Sequence, residues 1–144
     1  MSGHLSRLCR LAALAALLAW MAPGPVGAQW NPGTSCDKLD GYAMEDCLTK
    51  ELAEADKALN AAYQKMLAAI DKDATPSDQK AAWRDNLIAA QRAWIAYRDA
   101  NCKFALVGAE WHFGSGTTAA QQQCVLALTQ SRTQELLART PSPN

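Results

Sequence analysis

Histidine is almost missing from this chain: there are two in 144 residues, His4 and His112. No Cys-x-x-Cys pair, glycine-rich phosphate loop, dinucleotide fingerprint or paired-histidine zinc motif occurs. The short signatures of metal, nucleotide and cofactor chemistry are therefore absent. Nucleophilic catalysis needs a base held against a Ser or Cys. His112 has only Ser115 near it in sequence, with no third residue to orient the pair. Glycoside hydrolysis uses two carboxylates across a cleft, and a small helical domain has little room for one. We therefore expect no enzyme, no catalytic residue, no metal and no cofactor. Lys and Arg form no cluster, which argues against a nucleic-acid partner, because phosphate neutralisation needs several cations on one surface. The alternating apolar–polar pattern of a half-buried strand is also missing, as are internal repeats and low-complexity linkers.

What is present begins with an export signal. His4, Arg7 and Arg10 make a basic start, residues 11–22 are an apolar stretch, and Pro23-Gly24-Pro25 breaks the helix. Val26-Gly27-Ala28 then offers small residues for cleavage before Gln29, so residues 1–28 read as a signal peptide. A membrane span needs about 20 apolar residues, and position 29 is not the cysteine that lipid attachment requires. We expect a periplasmic or secreted bacterial protein with no stable membrane anchor after processing. Cleavage would leave about 116 residues (29–144), the size of one small domain. Twelve Lys and Arg would then face fourteen Asp and Glu, a mild acidic excess compatible with a basic partner.

The same cut removes Cys9 and leaves Cys36, Cys47, Cys102 and Cys124. An even count in an exported domain of this size predicts two disulfides rather than a metal site. Residues 29–43 read as an irregular arm carrying Pro32 and Gly33. From about Met44 the pattern turns helical, with Leu48, Leu52, Ala55, Leu59, Ala62, Met66 and Ile70 at spacings mostly of three and four. Pro76 ends that helix by restricting the residue before it, and Thr75 or Ser77 is the expected cap of the next. The second helix is expected to run through Trp83, Leu87 and Trp94 to about Phe104. Residues 108–118 should form a loop, residues 119–139 a third helix, and residues 140–144 a flexible tail. The predicted class is all-α: an antiparallel helical hairpin plus a third helix, a small bundle stapled by two disulfides.

With the turn centred near Thr75, Cys47 and Cys102 lie at the same level of the hairpin. That level-matching favours Cys47–Cys102 with Cys36–Cys124. The local alternative, Cys36–Cys47 with Cys102–Cys124, requires Cys36 to lie off the helix. Eleven residues along one helix span about 16 Å, beyond a disulfide's reach.

Four stretches carry a resemblance. They are Cys36 with Cys47; Asp56-Lys57-Ala58-Leu59-Asn60-Ala61-Ala62-Tyr63; Gln91-x-x-Trp94-x-x-Tyr97-Arg98-Asp99-x-x-Cys102; and Gly114-Ser115 with Cys124 and Thr129-x-x-Arg132-x-x-x-Leu136. Together they resemble the lysozyme-inhibitor LprI-like N-terminal domain family of exported bacterial proteins. The likeness covers nearly all of the mature chain. It implies a helical domain with two disulfides and, for at least one member, inhibition of lysozyme. Some members carry this domain beside a β-type inhibitor domain, for which the mature length leaves no room.

Two groups of residues could carry function. Gln91, Trp94, Arg98 and Cys102 share one helix face, where an indole N–H and a guanidinium need partners. Asp56, Asn60 and Tyr63 share a face of the first helix, and Arg132 should reach the same layer. A hydrogen-bonded carboxylate–guanidinium network of this kind sets helix register rather than performing catalysis. On that reading Asp56→Ala should unfold the protein or lower its melting temperature, by leaving an arginine uncompensated. The second group is Trp111, His112, Phe113 and Ser115, in a glycine-flanked loop. Exposed aromatics are favoured interface anchors, so the loop is the candidate partner-binding element. The other reading folds Trp111 and Phe113 back over the end of the bundle. The leading function is an envelope protein that binds a protein partner, lysozyme on the family likeness. The alternative is a non-inhibitory periplasmic interaction module, and a small-molecule carrier ranks third because Trp and Leu side chains would fill so small a core.

Overall fold

The computed structural model describes residues 33–110, 112–114 and 116–140. The signal-peptide expectation, most of the tail, Trp111 and Ser115 lie outside the described residues. The described residues form three long helices, α1 (Gly41–Lys72), α2 (Ser77–Cys102) and α3 (Thr117–Arg139), with the π-helical segment Lys103–Glu110 following α2 directly. No strand occurs among the described residues. The fold is the all-α bundle expected from the periodicity.

Helix α1 forms because its apolar residues keep one stripe over about six turns. Leu48, Ala55, Leu59, Ala62, Met66 and Ile70 are all buried, together with Leu67. The stripe packs chiefly on α3, where Leu126 meets Leu48 and Ala55 at one end and Leu136 meets Leu59 and Ala62 at the other. Helix α2 packs on this pair more loosely, with only Gln91 and Cys102 buried. The irregular arm is three residues shorter than expected. Gly41, with φ of 50°, enters the left-handed region and lets the chain turn into α1 immediately.

The α1–α2 turn is closed by Asp73 rather than by a helix cap. The Thr75 backbone N–H donates to Asp73 Oδ1 at 2.9 Å and the Thr75 hydroxyl donates to the same oxygen. Those two bonds hold the Asp73 carboxyl below its usual pKa, with Lys80 adding a smaller attraction. The expected caps Thr75 and Ser77 are therefore corrected. Pro76 occupies the N-cap position without a side-chain cap bond, and its carbonyl accepts from Lys80 N–H at 3.0 Å.

The favoured disulfide pairing is also corrected. Cys36 bonds to Cys47 and Cys102 to Cys124, each with Cα atoms 5.7 Å apart. Level-matching failed because the neighbour of α1 at the height of Cys47 is α3, not α2: Cys36, Cys47, Leu48, Leu126 and Ala119 form one cluster. Cys36 sits off the helix in a turn where Thr34 and Asp37 bond each other, and this brings it back over α1. Cys102 joins a separate cluster with Ala120, Cys124, Val125 and Leu128. By loop length each bridge contributes about 3 kcal/mol.

Candidate functional site

The polar layer at mid-bundle is built from all three helices. Arg98 on α2 has a side chain only 12% exposed and donates to Asp56 Oδ1 on α1 at 3.2 Å, to Asp99 Oδ1 at 2.9 Å and to Thr129 Oγ1 on α3 at 3.0 Å. The Thr129 hydroxyl passes its own proton to Val125 O at 2.7 Å, so its lone pairs face the guanidinium. Arg132 on α3, 11% exposed, donates to Gln91 Oε1 at 3.1 Å and to Glu135 Oε2 at 2.7 Å. Both guanidinium carbons lie near the Trp94 ring, at 5.3 Å and 5.9 Å from its centroid. The ring's negative face and the carboxylates together balance two like charges in a half-dry layer.

Of the expected members, Asp56, Gln91, Trp94, Arg98 and Arg132 are thus brought together. Asn60 and Tyr63 line the adjoining groove, but neither hydrogen-bonds to the layer among the described residues. Thr129, Asp99 and Glu135 were missed as participants. Thr129 stood in the motif stretches three residues before Arg132, a helical spacing and the available signal, whereas Asp99 directly follows Arg98 and carried no such mark.

The loop expectation falls on a different end of the bundle. His112 (φ 48°) and Phe113 (φ 59°) are consecutive non-glycine residues in the left-handed region, a conformation that costs on the order of 1–3 kcal/mol per residue. Hydrogen bonds hold it there. Phe113 N–H donates to Val107 O at 2.9 Å, His112 Nδ1 lies 3.1 Å from Gly108 O, and the Thr117 hydroxyl donates to Gly114 O. A carbonyl only accepts, so Nδ1 carries the proton and Nε2 is left outward. Gly116, with φ of 87°, then admits the chain to α3. Phe113 consequently stands 79% exposed and does not fold back over the bundle. Beside it, the π-helical segment leaves Phe104 75% exposed. The two rings flank a mostly apolar groove of about 800 Å³ completed by Ala100, Lys103, Val107, Gly108 and Gln121.

The described residues thus form a disulfide-stapled helical core with an exposed aromatic end. The chain belongs to the family described as lysozyme inhibitor LprI, whose model matches residues 36–136. An uncharacterized protein of Rhizobium meliloti (strain 1021) is 36% identical over 132 residues, covering 88% of this chain and 93% of the relative. No solved structure matches the chain. No helix among the described residues is long and apolar enough to cross a membrane.

Proposed function

We propose that this protein is exported and inhibits lysozyme, docking through the aromatic end formed by the π-helical segment and the 112–116 turn. Membership in the lysozyme-inhibitor family supports the partner class. The observation that carries the location is the pair of left-handed residues holding Phe113 outward. Strain of that kind persists where the surroundings over-determine it, and it fixes the ring before a partner arrives. Burying one such ring contributes about 1.5–3 kcal/mol. With its Nδ1 proton given to Gly108 O, His112 can accept at Nε2 from a protonated carboxylic acid of the partner, a group that a glycoside hydrolase carries as its general acid. The polar layer around Trp94 we assign to setting helix register.

The test is lysozyme turbidity with purified mature protein. Wild-type protein should slow lysis, and Phe113→Ser and Phe104→Ser should each weaken inhibition by tenfold or more at unchanged melting temperature. Inhibition that survives both substitutions removes this face from the interface. Lysis unaffected by wild-type protein removes lysozyme as the partner.

A further inference from the structure

A second groove runs between α1 and α2 and shares no lining residue with the aromatic end. Its volume is about 650 Å³, within the range of small-ligand sites. It lies where α2 packs sparsely, next to Asp56, Gln91 and Arg98 of the polar layer. Its aliphatic lining is Leu59 and Leu67, both buried, with the half-buried Ile88 and the more exposed Ile95. Its walls present Asn60, Tyr63, Gln64 and Arg92. Among the described residues, none of these four polar side chains has a hydrogen-bond or ion-pair partner within the protein. The groove's other cations are already balanced: Arg84 is held by Asp71 at 2.9 Å and 3.0 Å, and Arg98 by Asp56 and Asp99. Arg92 is therefore the one guanidinium lining the groove without a carboxylate partner among the described residues.

We propose that this groove binds a short, carboxylate-bearing saccharide with N-acetyl groups. Each element of the site matches one feature of that ligand class. Amide and phenol groups both donate and accept, as an array of sugar hydroxyls and acetamides requires. An aliphatic lining receives the C–H faces of the rings and the acetamido methyls. One free guanidinium suits one carboxylate through a paired, charge-assisted contact. A polyphosphate would need several free cations, and nucleic acid more still. The site is separate from the aromatic end and does not depend on lysozyme binding.

Calorimetric or NMR titration of the full mature protein tests the assignment with three probes: the disaccharide of N-acetylglucosamine and N-acetylmuramic acid, uncharged chitobiose, and an acidic tripeptide. The acidic disaccharide should bind at least about tenfold more tightly than chitobiose, the margin of one charge-assisted hydrogen bond. Arg92→Gln should remove that margin, and Asn60→Ala should weaken both sugars. Arg92 and Asn60 are exposed, so both variants should melt with wild-type protein. The proposal is overturned by no binding of the acidic disaccharide at millimolar concentration, by equal binding of chitobiose or the tripeptide, or by a margin that survives Arg92→Gln.

Discussion

Arg98 distributes its charge over Asp56, Asp99 and Thr129, and this changes what any single substitution can do. Asp56 is half exposed, and a second carboxylate remains when it is removed. Asp56→Ala should therefore cost only about 1 kcal/mol, the scale of a partly exposed ion pair, rather than unfold the domain. Arg98→Ala removes three hydrogen bonds and the stem that packs on Trp94, and should cost about 2–3 kcal/mol in chemical denaturation. His112→Gly relieves a left-handed backbone but removes the Nδ1 bond to Gly108 O, so stability should change by less than about 1 kcal/mol while inhibition weakens, because the turn is no longer held in one conformation. Asp73 supplies a pH dependence. Its folded pKa is depressed by the two Thr75 hydrogen bonds, so its stabilisation is present above the ordinary carboxylate pKa and is lost as pH falls through the lower folded value. Asp73→Asn should melt below wild-type protein at neutral pH, and the gap should close in acid. A gap that is constant with pH would mean that the charge on Asp73 plays no part.

At the level of elements, the helices differ in how far they could be read in advance. Helix α1 was legible because spacings of three and four residues persist from Leu48 to Ile70, and burial of that stripe decides its structure. The polar layer was legible for the same reason: residues sharing a helix face must share partners. Helix α2 misled, since its Ala and Trp content suggests a core helix whereas its packing is sparse. The assumption that neighbours in sequence pack most closely then produced the wrong cysteine pairs. The π-helical turns carry no compositional mark, and the left-handed pair at His112 and Phe113 lacks the glycine that would announce it. Sparse packing makes the Cys102–Cys124 bridge the main tether of the far end of α2. Replacing both cysteines with alanine should cost about 3 kcal/mol. Amide exchange should then accelerate along α2 while the α1–α3 pair stays protected. Uniform acceleration would show instead that the three helices open as one unit.

For the whole molecule, stability rests on a two-helix core, two covalent staples and one shared polar layer, and the aromatic end is left outside all three. Substitutions there should separate binding from folding, which is unusual for a domain this small. The arrangement of the staples has a consequence for biogenesis. Each links a cysteine to the next one along the chain, across 11 and 22 residues. In a chain that emerges N-terminus first, Cys36 and Cys47 can therefore join before Cys102 appears, so simple sequential oxidation yields the native bonds. Reduced, unfolded protein should accordingly regain both bridges with an oxidant alone, and adding a disulfide isomerase should not raise the yield.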